Sequence, residues 1–216
     1  MIKVKAVGIT TPLIEEIPDS AGLISYSARV SNPSNQSNFD TANGLLKYCL
    51  KHGHFSVFEM CNIVMEIEAP RDIARQILRH RSFSFQEFSQ RYAEAQQFVT
   101  REARLQDHKN RQNSIETDNS ELEQWWQEQQ EWLLDNVHEI YTEALRKGIA
   151  KECARVILPE GNTMSRMYMN GTVRSWIHYI QLRDGNGTQK EHQEIAQACR
   201  EELYKHLPFM KEVDGV

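Results

Sequence analysis

Apolar and polar positions alternate with a period of two at few places in this chain. Across residues 2–7, Ile2, Val4 and Ala6 fall on one side and Lys3 and Lys5 on the other, which predicts a half-buried strand that Thr11-Pro12 ends. Across residues 62–68 the pattern is clearer: Ile63, Met65 and Ile67 oppose Asn62, Glu66 and Glu68. Residues 92–99 and 162–170 are weaker strand candidates. Elsewhere the period is helical. Helical character over residues 20–28 is followed by a polar loop at 31–35. Asp40 or Thr41 caps a helix running past Leu45, Leu46, Tyr48 and Cys49, and Gly53 ends it. Ala69-Pro70 starts another, with Asp72 in its first turn and Ile73 and Ile77 on one face. That helix brings Gln76 and Arg79 to one side and His80 to its C-terminal end, and residues 82–91 follow as loop or extended chain.

The second half of the chain is more helical still. Residues 101–120 are polar almost throughout and predict a mobile surface loop. Residues 121–147 place Leu122, Trp125, Trp126, Trp132, Leu133, Val137, Ile140, Tyr141 and Leu145 at mostly helical spacing, and Gly148 ends the run. So wide an apolar face predicts burial against the core or a second subunit. Residues 149–158 predict a short helix carrying Arg155, stopped by Pro159. Val173, Trp176, Ile177 and Ile180 share a face of a helix over 172–182, closed by Arg183-Asp184-Gly185-Asn186-Gly187. Thr188 or Gln189 opens a last helix to about Leu207. Helix predominates over a few strands, so the class is α+β.

The length, 216 residues, suits one domain over 1–216 with an ample core. A net charge of -5 argues against broad binding to nucleic acid or an anionic membrane. No apolar run is long enough to span a bilayer, and the first residues do not resemble a signal peptide. The four cysteines, Cys49, Cys61, Cys153 and Cys199, are scattered, which suits a reduced setting and a role as buried apolar filler. The expected location is the cytoplasm, or a host's cytoplasm for a phage or viral protein.

Against that acidic background, residues 79–91 stand out. Three arginines minus one glutamate give this stretch +2, and serines and phenylalanines are interleaved. Guanidinium groups match phosphate and carboxylate geometry, so the stretch reads as a nucleotide pocket. No G-x-G-x-x-G or G-x-x-x-x-G-K-[ST] is present, so a dinucleotide is not held by either turn. His52-Gly53-His54 with Glu59 has chelating spacing, yet no second ligand cluster completes a metal site, and a helix-terminal histidine pair is the better reading. Ser89, His80 and Glu87 lie too close in sequence for a hydrolytic triad. Arg155, Arg166, Arg174 and Arg183 read one by one as solvated helix faces, although Arg174 and His178 share a face and Arg183 sits at a helix end.

Taken together, Arg79-His80-Arg81, seven residues, Ser89, one residue and Arg91 resemble the R-H-R-x7-S-x-R motif of the flavin-dependent thymidylate synthases. Residues 54–59, 104–112, 154–159 and 170–183 agree with the same family, so the likeness covers about 25–183. The resemblance implies a helix-rich domain around a small, mostly antiparallel sheet, and a homotetramer with active sites at subunit interfaces. It implies conversion of dUMP to dTMP with methylenetetrahydrofolate as carbon donor, NADPH as reductant and FAD supplying the hydride, without a cysteine nucleophile. By this likeness Arg79, His80 and Arg81 hold the flavin, helped by Ser56, Glu87, Thr172, Val173, Arg174, His178 and His54. Gln76, Arg79, Glu87, Ser89, Gln90, Arg91, Arg155 and Arg183 surround dUMP, with Arg183 activating the uracil and Ser89 beside it at the reacting centre. Gln86 departs from the asparagine of many members, and Thr172 and His178 from the asparagines of some.

These roles make physical sense. A fixed guanidinium stabilises negative charge as it develops on a pyrimidine, and arginines at a phosphate lower the entropic part of the barrier. Two other readings are a non-catalytic nucleotide-binding module that uses the same arginines for a phosphate, and a metal-dependent nucleotide hydrolase built on His52 and His54.

Overall fold

The computed structural model describes residues 2–185 and 187–213; Asn186, in the turn expected after Arg183, lies outside them, as do residues 1 and 214–216 of the 1–216 span. The strands are β1 (Lys3–Ile9), β2 (Asn62–Pro70), β3 (Ser84–Glu87), β4 (Arg104–Gln106), β5 (Ser114–Glu116) and β6 (Met164–Thr172). The helices are α1 (Ser20–Ala28), α2 (Ala42–Lys51), α3 (Arg71–Ile77), α4 (Ser120–Arg146), α5 (Lys151–Ala154), α6 (Val173–Arg183) and α7 (Lys190–His206). The class is α+β, helix-rich around a small antiparallel sheet.

The alternation at 62–68 becomes the middle of that sheet. Its order is β1-β2-β6-β3, with every neighbouring pair antiparallel. Ile63, Met65 and Ile67 of β2 and Met167 and Met169 of β6 point inward and are buried. Each such side chain contributes roughly 1.5–3 kcal/mol by leaving water. The other face stays polar: the Tyr168 hydroxyl donates to Glu66 at 2.7 Å, and Lys3 pairs with Glu68 at 3.1 Å. Trp176, Ile177 and Ile180 of α6 join the same core as the inward strand residues, with Ile195, Cys199 and Leu203 of α7. The Trp176 indole donates to the Ile63 carbonyl at 3.0 Å, so the polar end of a buried ring is satisfied.

Close packing holds β3 to this sheet. A Cβ added at Gly171 would lie 2.4 Å from the Phe83 ring, and Phe83 packs edge-on against Trp176 at 4.8 Å. Only glycine leaves room there for the ring that follows Arg81 in sequence.

Several expectations are corrected. Residues 92–99 form no strand and make a single isolated bridge, Phe98 to Thr163, although Val99 donates to the Asn162 carbonyl and Met164 to that of Gln97. The polar stretch at 101–120 is not a free loop: β4 and β5 close it into a hairpin. Arg101 donates to Asp72 at 2.9 Å, and Gln130 of α4 bonds both backbone groups of Arg101. Lys190 of α7 pairs with Glu116 at 2.7 Å. Charged partners distant in sequence tie the hairpin down, and composition alone does not display them. The helix expected over 149–158 is only α5 and a 3-10 turn, Arg155–Ile157.

The broad apolar face of α4 is not buried against this chain's own core. Val137 and Tyr141 are buried with Ala95, Ala154 and Leu158 in a small second cluster, while Trp132 stays 66% and Ile140 57% exposed. Cys49, Cys61 and Cys199 are buried as expected, whereas Cys153 is exposed. Among the described residues no helix is long and apolar enough to cross a membrane.

Candidate active site

The motif begins where α3 stops. Leu78 donates to Ala74 and His80 to Ile77, so the helix closes in a turn that presents Arg79, His80 and Arg81. Arg79 and Arg81 are exposed and make no ion pair among the described residues. The His80 ring turns inward. Its Nε2 accepts from Arg183 Nε at 2.8 Å, and its edge packs on Tyr179 at 4.9 Å. Burial, with the Arg183 guanidinium beside it, lowers His80 to a pKa of about 4. At neutral pH the ring is therefore uncharged, and its lone pair faces Arg183.

A second group joins the start of α6 to the 3-10 turn at Phe55–Met60. Thr172 caps α6, its hydroxyl accepting from the Ser175 amide at 3.2 Å. Ser175 in turn donates to the Ser82 carbonyl at 3.3 Å, which holds the motif loop against the first turn of α6. Arg174 pairs with Glu59 at 2.5 Å, and His178 packs on Phe55 at 4.9 Å. Ser56 is exposed on that turn and His54 at its head. The Val173 side chain is fully buried, and its amide donates to the Cys61 carbonyl, so its contribution is to seat the helix.

The third group surrounds β3 and the chain after it. Glu87 accepts from Arg75 at 3.0 Å and from the Ser165 hydroxyl at 2.9 Å, and it pairs with Arg71 at 3.7 Å. Both its carboxylate oxygens are thereby engaged within the chain. The Ser89 hydroxyl accepts from the Arg91 amide at 3.3 Å. Gln90 is buried with its Nε2 lacking an acceptor among the described residues, and Arg91 pairs with Glu152 of α5 at 3.1 Å. Arg155, half-buried, follows on the next turn, so Arg91 and Arg155 are brought to one region. No hydrogen bond or ion pair among the described residues joins Arg183 to Ser89, Gln90, Arg91 or Arg155.

Gln76 is tied to α7: its Nε2 donates to Gln189 at 2.8 Å, and its Oε1 lies 3.2 Å from His192. Sequence reading missed Arg71, Arg75, Tyr179, Gln189, Glu191 and His192. The signal for the arginines was the four-residue spacing of Arg71, Arg75 and Arg79, which runs along α3 and into the turn that ends it. For His192 it was a place on the stripe that Ile195, Ala196, Cys199 and Leu203 make apolar. His52, stacked on Tyr48 at 3.9 Å, lies 6.1 Å from His54 between ring centres, and no set of three or more His, Cys, Asp or Glu gathers as metal ligands among the described residues.

The family described as thymidylate synthase complementing protein matches residues 12–209 of this chain. A probable flavin-dependent thymidylate synthase of Paramecium bursaria Chlorella virus 1 is 51% identical over 214 residues, 98% of this chain and 99% of that protein. A flavin-dependent thymidylate synthase of Synechocystis sp. (strain ATCC 27184 / PCC 6803 / Kazusa) is 51% identical over 208 residues, 95% of each. Among solved structures, the fold is similar to that of a UMP/dUMP methylase PolB from Streptomyces cacaoi bound with 5-Br UMP. The TM-score is 0.80 at 26% identity, covering 98% of this chain and 92% of that one.

Proposed function

Since this chain belongs to the family of flavin-dependent thymidylate synthases, we propose that it methylates dUMP to dTMP, with methylenetetrahydrofolate as carbon donor, NADPH as reductant and FAD as cofactor. The observation that carries this reading is the contact between Arg183 and a neutral His80, a residue of the motif itself. One N–H of Arg183 is used on the imidazole, which leaves four for a ligand. Among the described residues no carboxylate pairs with the guanidinium to neutralise it. In that state it can meet the carbonyl and imide of uracil and stabilise charge as it forms on the ring.

The donor set fits a flavin dinucleotide. Arg79 and Arg81 offer unpaired cations to a diphosphate, and the bond from Ser175 to Ser82 keeps them beside the first turn of α6. Ser56, His54, His178 and the Thr172–Arg174 turn complete that side, and Glu87 orders β3 through Arg71 and Arg75. When bound, the flavin supplies the hydride. Ser89, Gln90, Arg91 and Arg155 hold the nucleotide, with the buried Gln90 amide lacking an acceptor until a ligand offers one. Burial pushes the thiols of Cys49, Cys61 and Cys199 up, away from thiolate, which argues against three of the four cysteines as nucleophiles, and the scheme assigns no attack to the exposed Cys153 either.

The enzyme works as a cytoplasmic homotetramer, in a host's cytoplasm if virally encoded, with sites at subunit interfaces. Two features support this: the exposed apolar face of α4, and the absence, among the described residues, of any hydrogen bond or ion pair joining Arg183 to the Ser89–Arg155 group. Purified protein should be yellow, lose flavin absorbance when NADPH is added without air, and convert dUMP to dTMP only with methylenetetrahydrofolate present. Colourless protein that added FAD does not restore counts against the whole scheme.

A further inference from the structure

His192 takes part in none of the roles above. It is fully buried among the apolar residues of α7. A buried imidazole is costly unless both nitrogens are satisfied. Here Nδ1 lies 3.2 Å from Gln76 Oε1, and Nε2 lies 3.1 Å from the Tyr179 hydroxyl.

The direction of every bond follows from one fixed end. The Glu191 carboxylate pairs with Arg104 at 2.5 Å and can only accept. Gln189 therefore turns its Nε2 toward Glu191, at 2.9 Å, and its Oε1 toward Gln76. Gln76 must give that oxygen its own Nε2, at 2.8 Å, which leaves Gln76 Oε1 facing His192. An oxygen facing Nδ1 requires the proton on Nδ1, so Nε2 is bare and accepts from Tyr179. Burial and the nearby Arg183 and His80 lower His192 to about 3, so the ring stays neutral and keeps this tautomer. Turning any one amide would set oxygen against oxygen or N–H against N–H, which leaves the chain a single favourable polarity.

We propose that Glu191 and His192 are positioning residues that fix the amide orientation of Gln76, so that it offers its second N–H and remaining lone pair to the nucleotide in one arrangement. The proposal rests on the reading in which dUMP lies against Gln76. A glutamine held from both ends gives up no rotational freedom when ligand arrives, which is preorganisation in its ordinary sense. Released at either end, it can flip and present the mirror pattern.

Equilibrium binding of dUMP to the flavin-loaded protein tests this. Glu191→Gln is nearly isosteric and restores the freedom of Gln189 to flip. It also removes the carboxylate that pairs with Arg104, so Tm falls; with binding measured at a temperature where circular dichroism shows the variant folded, it should weaken dUMP binding by about tenfold and raise KM with little change in kcat. His192→Leu should weaken binding by about tenfold as well. His192→Asn, whose side-chain amide can replace the Nδ1 donor, should stay within about threefold of wild type. Unchanged binding in Glu191→Gln and His192→Leu overturns the inference, as does equal weakening in both His192 variants. Wild-type protein with no affinity for dUMP overturns the functional reading as well. The tautomer is read independently, by nitrogen NMR of labelled histidine: a protonated Nδ1 supports the fixed polarity, and a protonated Nε2 removes it.

Discussion

Arg183 donates to an imidazole, whereas Arg91, Arg101, Arg104 and Arg174 all find carboxylates. A carboxylate would neutralise the guanidinium; a neutral His80 orients it and leaves its charge available. Arg183→Ala should therefore fold and retain FAD while turnover falls by on the order of a hundredfold, the loss seen when one charge-stabilising donor is removed. Near-normal turnover in that variant would assign ring activation elsewhere. The same pair of histidines predicts acid sensitivity. His80 and His192 are held at about 4 and about 3, below the usual value near 6.5. Their folded pKa values are depressed, so the unfolded chain binds protons more readily. That part of the stability is fully present above about pH 6.5 and is lost as pH falls toward about 4. Urea midpoints at about pH 7.5 and about pH 5, at one protein concentration, should show the decline, with a shallower decline in His192→Asn. Identical slopes would mean that His192 is not the group responsible.

At the scale of elements, α4 carries the clearest consequence. A helix of 27 residues places Trp132 and Ile140 eight residues apart on a face that its own chain leaves uncovered. A second copy is the occupant proposed here, since a large exposed apolar face marks an interaction surface. Wild-type mass in solution should correspond to about four chains. Trp132→Asp combined with Ile140→Asp should reduce it without loss of helix content by circular dichroism, because neither side chain supports the chain's own core. A double variant that keeps the wild-type mass would place the interface on another face. The hairpin of β4 and β5 teaches a related lesson. Its polar composition looks like that of a free loop, yet bonds to α3, α4 and α7 hold it in place.

For the molecule as a whole, the sheet and its covering helices were legible in the sequence because burial on one face imposes a period of two on a strand and near four on a helix. The runs at 62–68 and 172–182 show this and lie where they were expected. Residues 92–99 and the helix at 149–158 were misread, because short stretches have weak local preferences that tertiary contacts override. The R-H-R-x7-S-x-R spacing, a local property of the chain, was enough to suggest the family. What each motif residue does was not local. The tertiary structure alone set His80 against Arg183, 103 positions away, and engaged Glu87 with Arg71, Arg75 and Ser165. It also ran a hydrogen-bonded chain from Arg104 to Tyr179 through α7. Patterning decides which face of an element is buried; only the packed chain decides which polar groups meet, because their partners come from any distance along it.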